Sequence, residues 1–333
     1  MRNQTRSGEN GASVRTPNGD RMVGFFIVLL AAFFFCFQNV IVRILFNEYT
    51  IWGLFQAGGY VPPTLYNSFL LMFMRMVLVV PLMASLAVKL YPKTWQDIRQ
   101  FGESKNRPLL VRSLVGGALM FLYLALLYLS IGLIATGIAM TLFFTYPVFT
   151  ALFSWQLFGT PPSRFRWAIM ALILFGSFLT IPYTQNASES YSLAGVFLGL
   201  GSGIAYALYT VNAQKTFENN LHPVPFTWIS FATTLVLCVI SLLLLNNPNS
   251  DLNWLPLWVG GFLSAIVTFA GHLMNNYGIR LIGATSAAMI GASNPALTVI
   301  LAWVTIQETL NVVQLMGVAI VTLSVILLGR EHR

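Results

Sequence analysis

Apolar positions in this chain fall into long unbroken runs, with no alternating or heptad pattern. Ten such runs are visible: 22–46, 66–90, 108–131, 135–158, 164–182, 192–216, 225–245, 255–280, 284–306 and 310–329. About 20 apolar residues in a helix cross roughly 30 Å of hydrocarbon, and each run meets that measure. The pattern predicts an all-α integral membrane protein of ten transmembrane helices. Residues 1–21 are polar and free of periodicity, which predicts a disordered tail. The run 22–46 is too long for a signal-peptide core and lacks a small-residue cleavage site, so it reads as a retained helix.

Two of the runs are near-copies. Ala284 to Glu308 and Thr136 to Thr160 superpose at an offset of 148 residues, which brings Pro147 onto Pro295, Thr150 onto Thr298 and Trp155 onto Trp303. The same shift places Thr145 on Ser293 and Tyr146 on Asn294, so a polar pair precedes each proline. The chain therefore reads as a duplication, with a first repeat at 22–183 and a second at 192–329.

Charge sets the orientation. Only 8% of residues are charged and 56% are hydrophobic, where soluble domains carry about a quarter charged residues. The net charge of +8 is not gathered into a basic patch with interleaved aromatics, which excludes nucleic acid as a partner. With a cytoplasmic amino terminus, the inner segments hold 16 of the 18 basic residues, all but Arg43 and Arg75, and the outer loops hold none. Both termini are then cytoplasmic, the lipid bilayer is the solvent, and a plasma (inner) membrane is expected. Five spans per repeat, an odd number, make the two repeats inverted relative to each other. Outer loop 47–65 is long and uncharged after Glu48, suited to dip into the interface or cap the outer mouth. Cys36 and Cys238 sit apart within apolar runs, as small core hydrophobes and neither a disulfide nor a metal pair. No metal and no cofactor are expected.

Polar residues inside the runs are the candidates for chemistry. A helical proline deprives the carbonyl four residues earlier of its partner, here Phe143 and Gly291, so Pro147 and Pro295 mark hinges or broken helices, or else packing kinks. Ser264, Thr268, His272 and Asn275 share one helix face, with Asn276 beside it, and such a face must look inward. His272 is either a satisfied hydrogen-bonding group or a proton carrier. Gly195, Gly199, Ser202, Tyr206 and Tyr209 form another face, small at one end and phenolic at the other, which lines the site or anchors at the interface. Arg75 lies at mid-depth with no acid in any span to neutralise it; it clamps helix-end carbonyls or attracts an anionic group of the substrate. Arg43 is near the outer end, within reach of the interface or Glu48. Asn39, Tyr123, Thr145, Tyr146, Ser293 and Asn294 complete the candidate substrate-binding set.

Several motifs in order resemble the drug/metabolite transporter superfamily, in its EamA-like ten-helix branch. They are Asn39-Val-Ile-Val-Arg43, Arg75, Tyr128-Leu-Ser130, the run Tyr146 to Trp155, Ala205-Tyr-Ala-Leu-Tyr209, Asn276-Tyr-Gly-Ile-Arg280, and Asn294 to Trp303 with Glu308. The resemblance covers about residues 24–329. It implies a basket of helices around a central cavity, moving small metabolites by alternating access. Two features depart from that family. Gly159-Thr160 stands where the first repeat usually carries a glutamate, leaving only Glu308 for that role, and loop 47–65 is longer than the usual connection. Related small multidrug exporters depend on a first-span glutamate that residues 22–46 lack, which disfavours organic cations.

The reading is a secondary, non-ATP exporter of small polar metabolites, with amino acids first because amide, phenol and guanidinium groups suit a zwitterion. The alternatives are a transporter of sugars, nucleosides or organic anions, and a receptor or scaffold that transports nothing. An intramembrane enzyme is disfavoured. The three histidines are His222, His272 and His332, and the chain has no HExxH, no GxSxG and no intramembrane aspartate.

Overall fold

The computed structural model describes residues 18–62, 64–133, 136–159, 161–179, 193–245, 252–306 and 311–331. The tail 1–17, most of the connections 183–191 and 246–251, Thr160 and Glu308 lie outside the described residues. The protein is a bundle of helices. Helix α1 (Asn18–Phe46) leads into α2 (Leu65–Leu90), short α3 (Thr94–Gln100), α4 (Arg107–Leu133), α5 (Thr136–Phe143), α6 (Tyr146–Phe158) and α7 (Arg164–Leu179). The second half holds α8 (Leu193–Glu218), α9 (Pro223–Leu244), α10 (Trp254–Gly291), α11 (Asn294–Ile306) and α12 (Val312–Glu331). Six of these, α1, α2, α4, α8, α9 and α10, are long and apolar enough to cross a membrane; the remaining apolar helices are shorter. The protein is a multi-pass integral membrane protein.

Local chemistry sets the ends. Thr64 caps α2 by accepting from the Asn67 N–H at 3.2 Å, and α2 stops at Leu90 because Tyr91 precedes a proline and turns extended. His222 caps α9 ahead of Pro223, whose missing N–H costs nothing at a first turn. Gly283, at φ 82°, breaks α10 in a conformation that disfavours any side chain. The freed Ala284 N–H after it donates to Gln214 Oε1 at 2.7 Å. Loop 47–65 is not a plain connection but holds an antiparallel hairpin, β1 (Glu48–Ile51) with β2 (Phe55–Gly58). Tyr49, Thr50, Ile51 and Phe55 favour strand, and Trp52-Gly53 supply two positive-φ residues for the turn. The hairpin is fastened to the end of α11 by the Trp52 N–H donating to the Thr305 carbonyl at 2.9 Å.

The two halves interleave. The most extensive packing joins α1 to α10 and α8 to α4. Further pairs are α2 with α9, α7 with α12, α2 with α10, α9 with α4, α1 with α11, and α8 with α5 and α6. If α1 is matched to α8, α2 to α9, α4 to α10, α6 to α11 and α7 to α12, then α2 with α9 and α7 with α12 meet themselves, and α1 with α10, α2 with α10 and α1 with α11 answer to α8 with α4, α9 with α4 and α8 with α6. Buried Met72, Met76, Tyr209, Phe226 and Phe231 fill the middle, while Phe197, Leu243, Leu244 and Phe262 face outward at exposures that only lipid tolerates over so wide a surface.

Candidate functional site

Both near-copy segments are broken, and in the same register. Helix α5 ends at Phe143 and α6 resumes at Tyr146; α10 ends at Gly291 and α11 resumes at Asn294. Offset by 148, these limits coincide, and so do the bonds that close each break. Thr145 Oγ1 donates to the Leu142 carbonyl at 2.6 Å, and Ser293 Oγ donates to the Ile290 carbonyl at 2.7 Å. Pro147 and Pro295 stand in the first turn after each break, where a missing N–H is tolerated.

Each break touches the opposite half. Gly203 of α8 lies so close that a Cβ there would sit 2.8 Å from the Phe143 carbonyl oxygen, and one on Gly291 would meet Tyr146 Oη at 2.7 Å. On the far side, α1 grips the second break. Asn294 Nδ2 donates to the Ala32 carbonyl at 3.1 Å, while Asn39 Nδ2 donates to Asn294 Oδ1 at 2.8 Å and Thr298 Oγ1 at 3.1 Å. Ser177 of α7 donates to the Ala292 carbonyl at 3.1 Å.

A second polar group joins α1, α2 and α10 around Gln38. Its amide satisfies all its neighbours in one orientation: the oxygen accepts from Arg75 Nη1 at 2.7 Å and from Ser264 Oγ at 2.8 Å, and the nitrogen donates to Thr268 Oγ1 at 2.9 Å. Arg75 is only 6% exposed, and its Nε has no partner among the described residues. One and two turns along α10 from Thr268 come His272, held edge-on between Phe35 and Phe231, and Asn275. His272 Nδ1 is likewise buried without a partner among the described residues, and the buried Asn275 amide interacts with the Tyr206 hydroxyl. Arg75 lies within electrostatic reach of His272 and of Tyr123.

Tyr123 begins an aromatic cluster that leads to the first break. Its ring meets Tyr206 edge-on at 4.9 Å, and Tyr206 meets Tyr146 edge-on at 4.6 Å, with Phe143 beside all three. Tyr209 is stacked behind Tyr206 at 6.0 Å. It is fully buried; its hydroxyl donates to Asn276 Oδ1 at 3.1 Å while Asn276 Nδ2 donates to Thr227 Oγ1 at 2.8 Å. The structure thus assembles Arg75, Tyr123, Tyr146, Tyr206, His272 and Asn275 as one connected set. Asn39 and Asn294 form a separate pair at α1 and α11, Thr145 and Ser293 spend their hydroxyls on their own breaks, and Tyr209 is consumed in packing. Among the described residues, the Tyr123, Phe143, Tyr146 and Tyr206 rings pack against one another between the halves, where a central cavity was expected. A cavity of about 60 Å³ lies to one side, lined by Thr141, Phe144, Thr145, Leu174, Ser177 and Phe178.

Sequence reasoning passed over Gln38, Gln214 and Thr227. The adjacent pair Gln38-Asn39 in an apolar run was the available signal, since two amides there must each find a partner. Near the start of α9, half-buried His222 stacks on Tyr91 with ring centroids 3.9 Å apart and accepts the Val224 N–H on Nδ1 at 3.3 Å. Burial, and then the Arg280 guanidinium, push this imidazole down to about 4, so it is neutral at neutral pH.

Comparison with known proteins gives a consistent result. The EamA-like transporter family matches residues 193–330. An uncharacterized transporter of Synechocystis sp. is 54% identical over 318 residues, covering 96% of each chain. The threonine/homoserine exporter RhtA of Escherichia coli is 25% identical over 225 residues, covering 68% of this chain and 71% of its own. One crystal structure, at 14% identity, superposes with a TM-score of 0.71 over 94% of this chain and 98% of its own, a likeness of fold.

Proposed function

The chain belongs to the EamA-like transporter family of the drug/metabolite transporter superfamily, and from that premise we propose that it exports a small polar metabolite, an amino acid such as threonine or homoserine, by alternating access. The reading places ten spans in two inverted five-helix repeats, 22–183 and 192–329, in the plasma (inner) membrane with both termini cytoplasmic. It requires no catalytic group and no cofactor.

One observation carries it: the two broken helices, matched in register and each held against the opposite half. A break at the same point in both repeats supplies two hinges, and half-helix ends between repeats are where transporters hold substrate. Packing partners that exchange between the halves support the inverted arrangement. Arg75, Tyr123, Tyr146, Tyr206, His272 and Asn275 form the binding set in this reading; Asn39 with Asn294, and Thr145 with Ser293, hold the hinges at Pro147 and Pro295.

The test is counterflow. Purified protein in liposomes preloaded with unlabelled amino acids should accumulate radiolabelled threonine or homoserine transiently. Tyr206→Leu and Asn275→Leu should abolish that uptake while the protein remains folded. Absence of flux for every polar metabolite tried would sink the transporter reading, and normal flux in both variants would sink this binding set.

A further inference from the structure

We infer that Arg75 holds a carboxylate of the transported molecule, which makes a carboxylate, and not an amine, the group this transporter selects. The inference rests on the transporter reading above and adds the chemical class of the substrate.

Arg75 is a buried cation with no acid paired to it among the described residues. None of the ten acidic residues of the chain lies within an apolar run; all stand at helix ends, in connections or in the termini. A guanidinium deep in hydrocarbon is costly unless compensated, and Gln38 compensates only one nitrogen. The structural alternative, a clamp on helix-end carbonyls, is not formed among the described residues, and the Phe143 and Gly291 carbonyls freed by the prolines accept nothing from Arg75. At the two breaks, Leu142 and Ile290 are bonded by Thr145 and Ser293, and Ala292 by Ser177. No described carbonyl is hydrogen-bonded to Arg75.

The geometry also says which edge is offered. Gln38 holds Nη1 from one side and is itself fixed by Ser264 and Thr268. That leaves Nε, buried and without a partner, on the other edge of the fork. A guanidinium edge of this kind matches a planar carboxylate in two parallel bonds. On α10, His272 Nδ1 is also buried and unpartnered, and Asn275 beyond it interacts with the Tyr206 hydroxyl. Arg75 Nε and His272 Nδ1, both buried without partners and within electrostatic reach of each other's side chains, leave an uncompensated cation in a site that an anion completes. The Tyr123 and Tyr206 rings adjoin it and meet the rest of the molecule. An ammonium group finds no acid there among the described residues and meets only aromatic faces and amide oxygens, so the charge-assisted contact is the one to the carboxylate.

The experiment compares analogues on the unaltered protein in liposome counterflow. For each amino acid that is carried, competition is measured with its methyl ester, which lacks the carboxylate, and with the matching 2-hydroxy acid, which keeps it. The hydroxy acids should compete and the esters should not. Arg75→Gln, verified as folded by size exclusion, should raise the apparent KM for acids on the order of 30-fold or more, and Arg75→Lys should recover part of that. Esters competing as well as acids, or an unchanged KM in Arg75→Gln, would overturn the inference. If the protein carries sugars or nucleosides and no acid, this inference falls and the transporter reading stands. If the folded protein carries nothing, both fall.

Discussion

Replacing Gln38 separates the two roles that Arg75 could have. Gln38→Leu removes the partner of Arg75 Nη1, Ser264 Oγ and Thr268 Oγ1, at 2.7, 2.8 and 2.9 Å. A buried neutral hydrogen bond is worth about 1 kcal/mol and one to a charged group about 1.5–3, so the three together cost roughly 4 kcal/mol. That corresponds to a fall in Tm of about 6 °C in detergent, followed by tryptophan fluorescence. Gln38→Glu has the opposite character. A carboxylate can accept from Arg75 and Ser264 on one oxygen and from the Thr268 hydroxyl on the other, and the buried cation gains a counter-charge in exchange for the N–H that Gln38 donates to the Ser264 carbonyl at 3.1 Å. The variant should keep the parent Tm or exceed it, yet lose uptake of carboxylates in counterflow, because an internal acid now occupies Arg75. A Tm change below about 2 °C in Gln38→Leu would refute the network. Normal acid transport by a stable Gln38→Glu protein would refute the role of Arg75.

Three further outcomes follow from the packing and the charges. Gly203→Ala puts a Cβ 2.8 Å from the Phe143 carbonyl, where ordinary contact begins near 3.4 Å, so it should lower Tm by the equivalent of about 1–3 kcal/mol; Gly201→Ala, whose Cβ has only Leu126 Cδ1 at 3.6 Å, should not. His222 resists its proton in the folded state, so between its ordinary value near 6.5 and about 4 the unfolded chain binds more protons and stability falls as pH is lowered. In His222→Asn, which keeps a capping oxygen, the fall in Tm across that window should be smaller, and identical pH profiles would refute the assignment. Asn276→Leu leaves the Tyr209 and Thr227 hydroxyls buried without their amide, and a Tm drop of several degrees is expected even where counterflow of the folded fraction is unchanged.

The broken helices were legible because their cause is local: a proline, a polar pair before it, and a second copy at fixed offset. Run length likewise announced the bundle, since a hydrocarbon core imposes a length that no soluble fold demands. The hairpin at 48–58 was hidden because an uncharged connection has no required conformation, and its pairing depends on the ends of α1 and α11, which are remote in sequence. At the candidate site, the amphipathic face of α10 predicted which residues turn inward but not what they meet. Ser264 and Thr268 are bound by Gln38, Asn276 by Thr227, and Tyr209 by Asn276, partners 67 residues or more away in three cases of four. Periodicity assigns a side chain to a direction; only the packing of distant helices decides whether a polar group there is consumed or left open, as Arg75 Nε is.

The exchanged packing of α1 on α10 has a consequence for how the protein is made. Helix α1 ends at Phe46, and the helix that covers it does not begin until Trp254. At about 5–20 residues per second of synthesis, α1 waits on the order of 10–40 s in the bilayer before its partner emerges. Throughout that time Gln38 is without Ser264 and Thr268, and Asn39 is without Asn294 and Thr298. Neither repeat can therefore be finished and set aside while the other is made. Assembly is a single late event, in which the last half of the chain to be synthesised closes over the first.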